Sequence, residues 1–354
     1  WDKKGFFMPE MRGMMVPEVA MGASVAAAMI AKEAGYNMPA PLAVLSSVFE
    51  GMQLPMDKAL SVESKYFATL LTDPVARNII RTTFISKLAA EKGARRPEGV
   101  PKTTYTKVGV LGAGMMGAGI ALVAAKAGIE VILIDRDVPS AEKGKGYSEK
   151  VWGKEVSRGS LSQEKMDEML SRITPTDDFA LLEGCQLVVE AVFEDVAIKA
   201  ETTQKAEAVI LPDAVFASNT STLPITGLAE GVTRQEDFIG LHFFSPVDKM
   251  KLLEIVRGEN TSDAALARAF DFALQIGKTP IVVNDARGFF TSRVIGRFIA
   301  EAVAAVGEGV EPASIEQAAL QAGYPTGALQ LLDELTLTLS QKIQKENRRA
   351  AEAE

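Results

Sequence analysis

The sequence holds 354 residues, of which 47% are hydrophobic and 24% charged, and carries a net charge of −8. That length has room for two or three domains, and that charge excludes a general affinity for nucleic acid or anionic membrane. The single cysteine, Cys185, excludes an intrachain disulfide and suits a reducing compartment; with only one histidine, no structural zinc site of the usual kind can form, and no metal is expected.

The first residues, WDKKGFFMPEMRG, lack the basic start and continuous apolar core of a secretory signal. Met21 to Ala31 is apolar but too short to span a bilayer, so no stable membrane insertion is expected. The chain has no initiator Met and reads as cut from something longer at both ends. Ala23 to Ala34 reads as a helix closed by Gly35. Pro39 and Pro41 introduce a helical stretch from Leu42 to Gly51, and Met56 to Leu71 follows as an amphipathic helix with Leu60, Phe67, Leu70 and Leu71 on one face. Asp73-Pro74 restarts a helix through Ile79, Ile80, Phe84 and Leu88. Residues 92 to 106, rich in Gly, Pro and charge, read as a linker.

The informative stretch runs from Lys107 to Asp137. A β-type run, Val108 to Leu111, meets three glycines spaced G-x-G-x-x-G: Gly112, Gly114 and Gly117. A helical run, Ile120 to Ala127, ends at Gly128, and a second β-type run, Val131 to Ile134, stops at Asp135. Strand, tight turn, helix, strand and acid in this order are the dinucleotide fingerprint in its required context. Gly112 permits the turn, Gly114 lets a pyrophosphate approach the backbone, and Gly117 lets the helix pack on the strand. The helix N-terminus offers N–H groups and a positive dipole end to phosphate. A carboxylate at Asp135 accepts hydrogen bonds from ribose hydroxyls and repels a 2′-phosphate, which favours NAD over NADP, although Arg136 beside it pulls the other way.

Pro139 to Leu170 then reads as a charged helical pair broken near Gly159-Ser160. Strands follow at 187–189, 214–218, 238–244, 251–256 and 280–283, with helices at 195–210 and 262–276 between them. This alternation predicts an α/β fold with a Rossmann-type doubly wound, largely parallel sheet. It is preceded by a helical segment and followed by helices alone, over 289–306, 314–322 and 329–345, before the charged tail KENRRAAEAE.

Three residues stand out at the carboxyl-end side of this sheet: Ser221, His242 and Glu254. His242 is the only side chain with a reference pKa near neutrality, as needed to take a proton from an alcohol while hydride leaves its carbon. A hairpin-like return places Glu254 on the far imidazole nitrogen, and Ser221 can hydrogen-bond the reacting oxygen. Bland readings compete: a satisfied core histidine, an ion pair of Glu254 with Lys249 or Arg257, and a helix cap at Ser221.

The segments GAGMMGAGIA, VVEAVFEDVAIK, SNTSTLPIT, HFFSPVDKMKLLEIV and ARGFFTSR occur in this order. They resemble the 3-hydroxyacyl-CoA dehydrogenase family, and more closely its bifunctional fatty-acid oxidation branch with an enoyl-CoA hydratase part in front. The resemblance implies an NAD cofactor, an acyl-CoA substrate and three parts: the tail of a hydratase-like domain with linker helices at 1–103, the NAD-binding domain at 104–285, and part of a helical C-terminal domain at 286–354. It implies His242 as base, Glu254 as its orienting partner and Ser221 at the substrate hydroxyl and nicotinamide. It further implies Met116 and Asp135 at the adenosine half, and Val192, Phe193, Glu194 and Lys199 at the nicotinamide ribose. Ser245 stands at a cofactor position and Ser292 at a substrate position where many members have Asn. The run SPVDKM looks like the branch of the multienzyme-complex α subunit. DELTLTL at 333–339 lacks the Gly and second Asp usual there.

The resemblance thus implies oxidation of (S)-3-hydroxyacyl-CoA, with a homo-oligomer or a thiolase subunit as partner of the full-length parent. The compartment is cytoplasmic for a bacterium and mitochondrial or peroxisomal for a eukaryote. Two rivals stay open: a dehydrogenase of a non-CoA hydroxyacid, and a non-catalytic NAD-binding scaffold.

Overall fold

A computed structural model describes residues 17–34 and 37–335. The opening residues, Gly35, the last expected helix beyond Leu335, most of the DELTLTL run and the charged tail lie outside the described residues. Lys87–Ile295 form one compact unit, and the described parts of Trp1–Ser86 and Gly296–Glu354 form the other.

The first unit is built on one eight-stranded sheet. In chain order the strands are β1 (Lys107–Leu111), β2 (Glu130–Ile134), β3 (Ile173–Thr176), β4 (Leu187–Glu190), β5 (Val215–Ser218), β6 (Phe238–Phe243), β7 (Leu252–Arg257) and β8 (Thr279–Asn284). They lie in the order β3-β2-β1-β4-β5-β6-β7-β8. Every neighbouring pair is parallel except β6 and β7. The order reverses direction at β1, between β2 and β4, which is where a doubly wound sheet opens a crevice for a ligand.

The strands are short, β-branched and buried on both faces, as a sheet covered by helices requires. One face packs on α6 (Met115–Lys126), α7 (Val138–Ser157), α8 (Gln163–Ser171) and α11 (Asp263–Gln275), with Trp152, Phe270 and Phe272 fully buried. The other face packs on α9 (Val196–Glu207) and α10 (Ile225–Ala229) through Ala206, Ile210 and Leu228.

Three sequence expectations needed correction. The strand β3 was not foreseen, because its four residues, Ile-Thr-Pro-Thr, are too few for a pattern and include Pro175. It lies at the sheet edge, where proline is tolerated. The helix expected from Pro74 to Leu88 is interrupted: α4 (Pro74–Ile79) passes through a π-helical segment, Ile80–Ser86, into α5 (Lys87–Glu91). There the hydroxyls of Thr82 and Thr83 donate back to the carbonyls of Asn78 and Ile79, at 2.9 and 2.7 Å, a bond type that bends helices. Finally, the segment read as a linker is fastened down. Arg96 grips Asp271 of α11 at 2.7 and 2.9 Å, and the buried Tyr105 donates its hydroxyl to the Arg268 carbonyl.

The other unit is helical. It holds α1 (Pro17–Ala34), α2 (Pro39–Gly51), α3 (Met56–Thr72), α4, the portion of α12 (Thr291–Gly307) from Gly296 onward, α13 (Pro312–Gln321) and α14 (Ala328–Leu335). Asn37 donates its amide to the Gln321 carbonyl, and Phe298 stacks on Tyr324 at 4.2 Å. Among the described residues no helix is long and apolar enough to cross a membrane.

Candidate active site

The β1–α6 turn is shaped by its glycines. Gly112 has φ +91°, and a Cβ there would sit 2.6 Å from the Ala191 carbonyl oxygen. A Cβ on Gly117 would sit 1.7 Å from the Gly112 oxygen, so helix and turn approach closely only without one. At Gly114 an added Cβ meets nothing within 4 Å, and this residue is the N-cap of α6 with no side-chain cap. The first N–H groups of a helix lack intrahelical partners. Open space therefore faces uncapped donors, which fits a pyrophosphate. Asp135 follows β2, and its carboxylate accepts the N–H groups of Ala113 and Arg136 at 2.6 and 2.8 Å, which aims it across the mouth of this turn.

Across the crevice, β6 and β7 run antiparallel with His242 opposite Glu254. Both residues lie within their strands, as the strand ranges read from the sequence have them. The ring Nδ1 is 2.7 Å from Glu254 Oε2. An ionised carboxylate only accepts, so Nδ1 carries the proton and Nε2 of the neutral ring is left as the base. His242 is 4% exposed, with the Phe244 and Phe289 rings centred 4.5 and 5.6 Å from its own. The main chain at Phe289 is held at φ 47°, a left-handed value that a bulky residue adopts only under constraint.

Glu254 has further partners that the sequence reading missed. Its Oε1 accepts the N–H groups of Phe290 and Thr291 at 3.2 and 2.9 Å, and its Oε2 accepts the Thr291 hydroxyl at 2.8 Å. Burial pushes this carboxyl up, but the hydrogen bonds from His242 and Thr291 outweigh it and hold Glu254 below its ordinary value. Its bonds leave no ion pair with Lys249 or Arg257, and Arg257 pairs with Asp263 at 2.9 Å instead.

A second cluster lies at the carboxyl ends of β4 and β5. Lys199, 3% exposed, places Nζ 2.6 and 3.1 Å from the two oxygens of Glu190 and 3.1 Å from Glu194 Oε2. The other oxygen of Glu194 accepts the Thr220 hydroxyl at 2.5 Å and the Ser221 N–H at 3.2 Å. Burial raises Glu190 above its ordinary value against the pull of Lys199. Burial also works to raise Glu194, but Lys199 and Thr220 prevail and lower it. Ser221 itself is exposed and caps no helix, since α10 starts beyond Pro224. Glu190, a carboxylate ending an apolar strand, was the available signal for this cluster.

The remaining expected site residues are spread more loosely. Met116 packs partly against the core, while Met115 beside it is 70% exposed and 3.5 Å from the Ser245 hydroxyl. Val192 packs against the opposite core face and Phe193 is 68% exposed. Ser292 lies half-buried in the first turn of α12, next to Thr291. The loop carrying Ser245 is held by Lys278, whose ammonium donates to the carbonyls of Val247 and Met250. Burial pushes that ammonium down to about 8. Cys185 is buried, and burial pushes its thiol up to about 12, as for an inert structural thiol.

Residues 107–286 match the model of the 3-hydroxyacyl-CoA dehydrogenase NAD-binding domain, and residues 288–354 match that of the 3-hydroxyacyl-CoA dehydrogenase C-terminal domain. The fatty acid oxidation complex subunit alpha of Psychrobacter arcticus is 36% identical over 321 residues, which cover 89% of this chain and 44% of that protein. The chain thus spans less than half the length of this curated relative. The (S)-3-hydroxybutyryl-CoA dehydrogenase of Ralstonia eutropha superposes with a TM-score of 0.66 at 32% identity, over 68% of this chain and 86% of that one. The 3-hydroxybutyryl-CoA dehydrogenase of Escherichia coli gives 0.65 at 33% identity, over 68% and 52%.

Proposed function

Since the chain belongs to the 3-hydroxyacyl-CoA dehydrogenase family, with an NAD-binding domain of that family over 107–286, we propose that it oxidises (S)-3-hydroxyacyl-CoA to 3-oxoacyl-CoA. NAD, when bound, supplies the hydride acceptor. The chain's residues supply the rest. His242 Nε2 takes the substrate hydroxyl proton as the C3 hydrogen departs with its electron pair, and the oxygen closes to a carbonyl. Glu254, bonded to Nδ1, keeps that tautomer and stabilises the imidazolium that forms. The Ser221 hydroxyl orients the reacting oxygen. Gly112, Gly114, Gly117 and Asp135 seat the adenosine and pyrophosphate end, with Met116 beside them. Val192, Phe193, Glu194, Lys199 and Ser245 border the nicotinamide end, and Ser292 faces the acyl group.

The observation that carries this reading is the pair His242–Glu254, buried and 2.7 Å apart, set across the crevice from a glycine turn fit for pyrophosphate. His242→Gln tests it. Turnover of acetoacetyl-CoA with NADH falls about 10²- to 10⁴-fold, the usual loss with a general base, and NADH binding is unchanged. Turnover near the wild-type rate would remove His242 from the role. Preference for free acetoacetate over acetoacetyl-CoA would point instead to a non-CoA hydroxyacid. The parent protein further combines this activity with an enoyl-CoA hydratase and assembles with itself or a thiolase, in the cytoplasm of a bacterium or the mitochondrion or peroxisome of a eukaryote.

A further inference from the structure

The cluster of Glu190, Lys199 and Glu194 has a charge that orienting a ribose does not require. Two carboxylates and one ammonium leave one net negative charge. Glu190 is 1% exposed and touches no solvent-facing group, so it cannot serve as a direct ligand of cofactor or substrate. Its bonds go to Lys199, on both oxygens, and to the Ser218 hydroxyl at 3.3 Å. Holding a lysine needs only one of the two acids. One ammonium is thus shared by two carboxylates, and Glu194 is the more exposed of the two, at 32% of its side chain against 1%.

Position says what that charge faces. The adenosine end lies beyond β2 at Asp135, so a dinucleotide reaching His242 must run over the carboxyl ends of β1, β4 and β5. Glu194 stands there, bonded to Thr220 and Ser221 of the β5 loop. The nicotinamide ring is a cation when oxidised and neutral when reduced. A negative charge at that end would attract the first form and be indifferent to the second.

We propose that Glu190 is a specificity-determining residue: by neutralising Lys199 it leaves a net negative charge at the nicotinamide end, so that the chain binds NAD+ in preference to NADH relative to a charge-balanced site. This inference rests on the dehydrogenase reading above, and its effect is on binding rather than on the proton-transfer step.

The test is the ratio of dissociation constants for NAD+ and NADH, measured by calorimetry at pH 8. In Glu190→Gln the cluster becomes neutral, and the ratio Kd(NAD+)/Kd(NADH) rises about tenfold, the effect of one unit charge roughly 12 Å away at an effective dielectric of about 20. Glu190→Asp keeps the charge and disturbs the packing; its ratio stays at the wild-type value even where its Tm falls. The double variant Glu190→Gln with Lys199→Met restores a single negative charge on Glu194 and returns the ratio to within about twofold of wild type. A ratio that is unchanged in Glu190→Gln overturns the proposal. So does a double variant as shifted as the single one, which would assign the effect to lost structure. A ratio cancels any uniform loss of affinity, so partial destabilisation of a variant does not mask the result. A wild-type chain that binds neither form would overturn the cofactor reading itself, which is a separate outcome.

Discussion

Thr291 gives Glu254 both its backbone N–H, at 2.9 Å, and its hydroxyl, at 2.8 Å. The acid bonded to the His242 imidazole is thereby held in turn by the first residue of α12. Of its two oxygens, Oε2 is shared between His242 and the Thr291 hydroxyl, and Oε1 is filled by main-chain donors.

Thr291→Val removes one of these bonds and keeps the side-chain shape. A hydrogen bond to a charged group is worth about 1.5–3 kcal/mol. The expected loss is about tenfold or more in kcat, with KM for NADH unchanged, in steady-state assays. Thr291→Ser, which keeps the hydroxyl, retains most of the rate. Equal losses in the serine and valine variants would deny the hydroxyl this role.

The glycines of the turn separate folding from binding. Gly117→Ala drives a methyl into the Gly112 carbonyl, so it destabilises the unit by about 1–3 kcal/mol, as overpacked cores do. Gly114→Ala meets no protein atom within 4 Å. Its Tm stays within a few degrees of wild type while NADH affinity falls at least tenfold, because the methyl enters the open space where pyrophosphate is proposed to bind. Thermal melts and NADH fluorescence titrations on both variants check this.

Acid acts on the Glu254 network in a defined direction. The folded protein holds Glu254 below its ordinary value, so the unfolded chain binds the proton more readily. The stabilisation is fully present above the unfolded carboxylate value of about 4.3, and it is lost as pH falls through the lower folded value. The Tm difference between wild type and Glu254→Gln is therefore flat at neutral pH and shrinks on acidification below that point. A difference that is constant down to the lowest accessible pH would contradict the shift.

Lys278 gives the opposite window. Folded, it releases its proton at about 8, whereas an unfolded lysine keeps it to about 10.4. Between these values the unfolded chain binds more protons, so stability rises with pH. Wild type gains Tm from pH 8 to 10 relative to Lys278→Met, which lacks the group. Parallel melting curves for the two proteins would rule out the shifted ammonium.

The sequence discloses what depends on residues close in the chain. The turn of Gly112, Gly114, Gly117 and Asp135 was legible because one strand, one turn and one helix build the whole of it. His242 and Glu254 were legible because they are separated by twelve residues and a hairpin sets them opposite each other. The donors of Phe290 and Thr291 come from 36 and 37 residues further on, and no local pattern predicts such a meeting. Glu190 looked like the polar end of a strand because its pairing with Lys199 depends on the burial of that lysine, which is a tertiary fact. The hold of Arg96 on Asp271 spans 175 residues, and composition alone made its segment resemble a loose tether.

Pro175 bears on how this protein behaves in a crowd. Strand β3 turns the Arg172 and Thr176 carbonyls toward β2, where Val131 and Asp135 donate to them at 2.8 and 3.2 Å. By the alternation of a strand, Pro175 turns its nitrogen the other way, to the open edge. That nitrogen has no hydrogen to offer. A strand arriving from a neighbouring molecule finds no donor at the centre of the edge, so the four residues that were hardest to read as a strand also guard the sheet against growing by accretion.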